Sequence, residues 1–123
     1  MNNIKSIHHV AIEVSDLSRS IEFYQSLGFL IEQSIDFKGE EAIFLELEHF
    51  RLELYEVENS RKKSNYDKQM HIAFEVESWN ELLKWIDVIK LEIIEGPFKL
   101  ENGWRTIFVK GYDGEILEFM EEL

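Results

Sequence analysis

Cysteine is absent from all 123 residues. That excludes disulfides, thiolate metal ligands, iron–sulfur clusters and a cysteine nucleophile, and it fits a reducing compartment. Long apolar runs are absent too. No stretch approaches the roughly 20 apolar residues that a membrane-spanning helix needs, and Met1-Asn2-Asn3-Ile4-Lys5 opens nothing like a signal peptide. The expected location is cytoplasmic, with no membrane partner. Positive charge is scarce: 13 Lys and Arg against 25 Asp and Glu leave a net charge of -12. Such a surface repels phosphate backbones, so no nucleic-acid partner is expected. What the chain does have is a core. Its residues are 45% hydrophobic and 13% aromatic, too apolar for a disordered segment and enough for one compact domain or two small packed modules.

The chain also repeats itself. His9-Val10-Ala11-Ile12-Glu13-Val14 returns as His71-Ile72-Ala73-Phe74-Glu75-Val76, at an offset of 62. Leu52-Glu53-Leu54-Tyr55-Glu56 returns as Leu117-Glu118-Phe119-Met120-Glu121, at an offset of 65. Each half therefore carries one histidine on an early strand and one glutamate on a late strand. A repeat of this length marks a duplicated structural unit.

The periodicities give the same element order in both halves. Ile4 to Val14 alternates as a strand. Asp16 caps a helix to about Leu27, with Leu17, Ile21, Tyr24 and Leu27 on one stripe, and Gly28 ends it. Strands follow at about Phe29–Phe37, Ala42–Leu47 and Phe50–Val57. Residues 58–67 are polar and charged and read as a linker. In the second half Met70–Val76 is a strand. Ser78 caps a helix, with Glu81 completing a capping box, and its stripe is Trp79, Leu83, Ile86 and Ile89. A strand near Leu91–Glu95, a loop opened by Gly96-Pro97, a strand at Trp104–Lys110, a turn at Gly111-Tyr112-Asp113-Gly114 and a strand at Glu115–Glu121 complete it. The expected fold class is α+β: two βαβββ modules, 1–57 and 68–123, within one domain over 1–123, forming curved mixed sheets around a cavity.

Strand parity places the candidate ligands. Side chains alternate between faces. Val10, Ile12 and Val14 share the face under the first helix, which leaves His9 on the other with Ile7, Ala11 and Glu13. By the same rule Ile72, Phe74 and Val76 face the second helix and His71 faces away. Leu52 and Leu54 turn Glu53 away from the helix; Leu117 and Phe119 do so for Glu118. A lone strand histidine is ordinarily a hydrogen-bonded or surface residue. Four residues matched by a repeat and sharing one parity point instead to a metal site: His9, Glu53, His71 and Glu118. Imidazole and carboxylate suit zinc or nickel first, with cobalt, iron and manganese also compatible. A spare carboxylate beside a polarised substrate oxygen suits proton transfer next to a carbonyl. His8 shares the core-face parity, and His49 sits in a turn.

These features together resemble the vicinal oxygen chelate superfamily. The resemblance rests on the two βαβββ modules, on the opening Ile7-His8-His9-Val10-Ala11-Ile12-Glu13-Val14-Ser15-Asp16, on Phe23-Tyr24 before Leu27-Gly28-Phe29, and on Tyr112-Asp113-Gly114 before Leu117-Glu118-Phe119. That superfamily contains glyoxalase I, bleomycin-resistance proteins, fosfomycin-resistance enzymes, methylmalonyl-CoA epimerase and extradiol dioxygenases. The resemblance implies metal ligands at His9, Glu53, His71 and Glu118. The set of two His and two Glu looks most like glyoxalase I, a lyase acting on the hemithioacetal of methylglyoxal and glutathione. By that likeness Glu118 would act as base and Glu53 would serve the opposite face of a small oxo substrate. Two positions depart from the glyoxalase pattern. Glu13 stands where those enzymes place an arginine for the glutathione carboxylate, and Val57 where an asparagine helps bind it; Arg51, Arg105 and Lys99 are the basic residues left to compensate. The thiol stays open between glutathione and another.

Other functions implied by the same resemblance are an epimerase, a thiol transferase of the fosfomycin-resistance type, and a metal-free drug-binding protein that stacks a flat ligand on Phe37, Trp104 and Phe108. The strands supply few basic residues for a phosphonate, which ranks the transferase last. A homodimer is implied, with each site built within one chain or shared between two.

Overall fold

A computed structural model describes residues 1–37, 39–56 and 70–122. The linker at 58–67 and Val57 lie outside the described residues. The chain forms two compact units, His9–Met70 and Met1–His8 with His71–Leu123. The fold class is α+β, as the periodicities indicate.

In the unit His9–Met70 the elements are β1 (Ile4–Val14), whose last six residues belong here, α1 (Leu17–Ser26), β2 (Leu30–Phe37), β3 (Glu40–Leu47) and β4 (Phe50–Glu56). The strand order is β2-β3-β4-β1. β1 runs parallel to β4, with Ala11 opposite Glu53, and the other pairings are antiparallel. Asp16 caps α1 by accepting a hydrogen bond from the Arg19 N–H at 3.1 Å, satisfying one of the orphan donors of the first turn. Gly28 follows the C-cap at φ 109, a conformation that side chains resist. The core is Phe29, Ile43, Leu45, Leu52 and Leu54, with Val10, Ile12, Val14, Leu17, Ile21 and Tyr24 packed against it. Leu27 departs from the expected stripe and is exposed. It is already the C-cap residue, so it no longer lies on the helical face.

The second unit holds the first five residues of β1, then β5 (Met70–Val76), α2 (Trp79–Ile89), β6 (Glu92–Lys99), β7 (Arg105–Lys110) and β8 (Ile116–Glu121), with His71 the first residue of β5 in this unit. The strand order is β5-β8-β7-β6. β5 is parallel to β8, with Ala73 opposite Glu118. The core is Val76, Trp79, Leu82, Ile86, Ile107, Val109 and Phe119.

Several expectations need correction here. Leu82, fully buried, takes the central place on the α2 stripe, and Leu83 packs at its flank. Trp79, Leu82 and Ile86 are spaced i, i+3, i+7, which is one helical face. Ile72 is 40% exposed, because the cluster under α2 draws on β5 only at Phe74 and Val76. Gly96-Pro97 does not open a loop: β6 runs through it to Lys99 with register shifts. β6 ends its strand order, and an edge strand tolerates a proline that cannot donate to a ladder. Gly96 sits at φ 94, where a Cβ would come within 3.1 Å of the Thr106 carbonyl oxygen.

The capping box on α2 is half made. The Ser78 hydroxyl accepts from the Glu81 N–H at 3.2 Å, but Glu81 does not reach back. The Ser78 N–H instead donates to Asn3 Oδ1 at 2.7 Å, and Asn3 Nδ2 donates to the Ser78 carbonyl at 2.6 Å. Asn3 is buried and ties the start of the chain to the start of α2, 75 residues away. Asn3→Ala is expected to cost about 2 kcal/mol, because two hydrogen bonds go and two backbone groups lose their partners. Urea denaturation of the variant measures it.

Candidate metal centre

In the unit His9–Met70, β1 and β4 lie side by side and turn the same face away from α1. His9, 1% exposed, sits one residue before Val10 of the core cluster, and Glu53 sits between the buried Leu52 and Leu54. Their side chains meet: His9 Nε2 lies 3.3 Å from Glu53 Oε1. Phe44 of β3 is opposite Glu53 in register and packs edge-on against the His9 ring at 5.1 Å between centroids. Ala11, with no exposed surface, fills the strand position beside Glu53.

The second unit builds the same arrangement. His71 Nε2 lies 3.0 Å from Glu118 Oε1, and both side chains are almost fully buried. Phe108 of β7 is opposite Glu118 in register and packs edge-on against His71 at 5.4 Å. Ala73 is buried beside Glu118. One contact here was not foreseen. The Thr106 hydroxyl donates to Glu118 Oε2 at 2.5 Å, from a side chain with essentially no solvent exposure.

Each pair has the spacing expected of neighbouring ligands on one ion. Two donors at about 2.1 Å from a metal are about 3.0 Å apart at a right angle and about 3.4 Å apart at the tetrahedral angle. The two measured separations, 3.3 and 3.0 Å, fall in that interval. The donor chemistry fits as well: one neutral imidazole and one carboxylate per unit suit borderline and hard divalent cations. Each unit thus carries a His–Glu pair, buried in the second unit and with a part-buried Glu53 in the first, that could ligate a divalent metal.

The remaining candidates fall elsewhere. His8 is buried on the opposite parity, bonded through Nε2 to Glu122 Oε2 at 2.6 Å and edge-on to Trp104. His49 is exposed in the turn between β3 and β4. Arg51 is engaged by Glu32 through two 2.8 Å contacts, with its guanidinium 5.8 Å from the Phe44 ring centroid. Arg105 pairs with Glu121 at 3.9 Å, and Lys99 is exposed on the edge strand. Trp104 and Phe108 are buried against His8 and His71, so they serve as walls of the histidine environments; Phe37 is half-buried on β2.

Strand parity alone does not single out Thr106 or Phe44, although the repeat contains their positions. Ala42-Ile43-Phe44-Leu45 returns as Thr106-Ile107-Phe108-Val109 at an offset of 64. The third strands are therefore duplicated as well, and Phe44 answers Phe108.

The glyoxalase/bleomycin resistance protein/dioxygenase superfamily model matches residues 6–119. The chain belongs to this superfamily. Among similar proteins of known name is metallothiol transferase FosB of Staphylococcus epidermidis, 24% identical over 94% of this chain and 80% of its own length. Among solved structures, hypothetical protein BH1468 from Bacillus halodurans has a TM-score of 0.80 at 23% identity, covering 100% of this chain and 96% of that one. Methylmalonyl-CoA epimerase from Mycobacterium tuberculosis also reaches 0.80, at 17% identity over 98% and 89%. These structural likenesses show the glyoxalase-type α+β fold. Two of these similar proteins carry the names of a thiol transferase and an epimerase. Among the described residues no helix is long and apolar enough to cross a membrane.

Proposed function

We propose that this superfamily member is a metal-dependent lyase or isomerase that moves a proton on a small oxo substrate, with His9, Glu53, His71 and Glu118 as ligands of one divalent ion. The observation that carries the reading is the duplication of a His–Glu pair at ligand spacing, 3.3 Å in one unit and 3.0 Å in the other. Zinc and nickel suit the set best. A bound dication would polarise a substrate oxygen and acidify the adjacent carbon. The rest falls to the protein. The two imidazoles hold position as neutral donors. Phe44 and Phe108 fix the planes of those rings by edge contacts, and the buried alanines leave room on the strand face. A carboxylate takes a proton from one substrate carbon and returns it to the neighbouring atom. The substrate is small and chelating, a methylglyoxal–thiol hemithioacetal being the leading candidate, with glutathione or another thiol as its sulfur donor. The quartet is completed within one chain or between two chains of a homodimer, and the protein is cytoplasmic.

Elemental analysis after dialysis against zinc, nickel, cobalt and manganese in parallel tests the reading. About one ion per quartet is expected. No stoichiometric binding by any of them sinks it, and the chain is then to be tested as a small-molecule binder.

A second reading is thiol transfer, and the similarity to metallothiol transferase FosB favours it. Both readings share the metal. They part on the product: an isomerase turns the hemithioacetal into a 2-hydroxyacyl thioester with no second electrophile, whereas a transferase joins the thiol to an electrophile through a thioether. Treating the product with hydroxylamine separates them, because a thioester releases its thiol and a thioether does not. We expect hemithioacetal turnover, because Arg51 and Arg105 are both paired with carboxylates and offer little to a phosphonate.

A further inference from the structure

The two half-sites share His, Glu, Phe and Ala at matching positions and differ at the place of Thr106, a difference that distinguishes their carboxylates. Glu118 is held at both oxygens: Oε1 faces His71 Nε2 at 3.0 Å and Oε2 accepts the Thr106 hydroxyl at 2.5 Å. The repeat places Ala42 where Thr106 stands in the second unit, since Ile43 and Phe44 answer Ile107 and Phe108. The registers agree: Ala42 is opposite Tyr55 and Thr106 opposite Met120, each two residues beyond its glutamate. A methyl group cannot donate a hydrogen bond. Exposure follows the same division, 17% for the Glu53 side chain against 5% for that of Glu118.

We propose that Thr106 is a positioning residue that locks Glu118 as the permanently held metal ligand, and that Ala42 leaves Glu53 as the carboxylate free to exchange and carry the proton. This deepens the metal reading above and rests on it. The physical reason is geometric. A carboxylate with one oxygen tied to a buried hydroxyl presents only the other to an ion, in one orientation. Rotating it away would leave a buried hydroxyl and a buried carboxylate oxygen unsatisfied. Glu53 faces no such hydroxyl from the matching position and lies nearer solvent. Proton transfer needs a carboxylate that can leave one partner for another, so the base role falls to Glu53 rather than to Glu118, the reverse of what resemblance to glyoxalase I implies. Gly96 belongs to the same device: its missing Cβ lets the β6 backbone close against the Thr106 carbonyl.

The test compares zinc affinity of the wild-type protein, Thr106→Val and Thr106→Ser by competition with a chromophoric chelator, with the melting temperature of each metal-free protein alongside. Valine keeps the shape and removes the hydroxyl; serine restores it. Thr106→Val should bind zinc about 10- to 100-fold more weakly, the usual loss for an outer partner of a ligand. Thr106→Ser should recover most of that affinity. A second comparison addresses Glu53: Glu53→Gln should lose less zinc affinity than Glu118→Gln. If Thr106→Val folds and binds zinc like wild type, or if serine fails to restore what valine loses, Thr106 is only a packing residue and the inference is overturned. Equal losses for Glu53→Gln and Glu118→Gln overturn the division between the carboxylates. If wild type itself binds no zinc, nickel, cobalt or manganese, the metal reading fails first and takes this one with it.

Discussion

His71→Ala and Glu118→Gln are each expected to abolish stoichiometric metal retention through dialysis, with affinity falling by at least about 100-fold. The expectation follows from what each side chain leaves behind. His71 is almost fully buried and meets Glu118 at 3.0 Å. Removing the imidazole deletes a donor and leaves a cavity in its place. Glu118→Gln keeps size and shape and removes the negative charge, so it tests the charge of the donor set more cleanly than a truncation does. Two neutral imidazoles and two carboxylates balance a dication; one carboxylate does not. Circular dichroism of the metal-free proteins must match wild type for the comparison to hold. If both variants keep full occupancy, the buried pairs are structural hydrogen bonds, and the proposed activity falls with them.

The second large effect is on stability. Leu82→Ala should destabilise the protein by about 2–5 kcal/mol, because it deletes a wholly enclosed side chain and leaves a cavity beneath α2. For a chain of this size that lowers the melting temperature by roughly 10 °C. Leu82 packs among Val76, Trp79, Ile86, Ile107, Val109 and Phe119, the layer on which the strands carrying His71 and Glu118 rest. Val88→Ala, on the same helix but 75% exposed, should change stability by less than about 0.5 kcal/mol. Equal effects from the two substitutions would show that α2 is not seated as described. Metal should raise the melting temperature of Leu82→Ala and of wild type alike, since an ion that binds only the folded state stabilises both by mass action.

Much of this architecture was legible before any coordinates, and the reason is the duplication. A single strand with one histidine has many readings. The same strand seen twice, followed each time by a helix of matching period and a later Leu-Glu-Leu or Leu-Glu-Phe strand, has few. Parity on β1 and β4 was enough to pair His9 with Glu53, and parity on β5 and β8 to pair His71 with Glu118. The errors lie where local pattern is weak. Leu82 and Leu83 are adjacent, and only the seating of α2 selects the first. Gly96-Pro97 looks like punctuation, and only an edge position lets a strand run through it. Ser78 and Glu81 spell a capping box, but Asn3, far away in sequence, takes the Ser78 N–H.

Residue types and their repetition decided the fold class, the element order and the donor types of the candidate ligand set, because hydrophobic period and donor type are local properties of the chain. The difference between the two carboxylates was decided by tertiary structure. Thr106 is 12 residues from Glu118 in the chain, and a hydroxyl there means nothing until β7 and β8 are laid side by side. Their register brings that oxygen to 2.5 Å from one carboxylate, while the corresponding strand of the other unit carries alanine at the matching position.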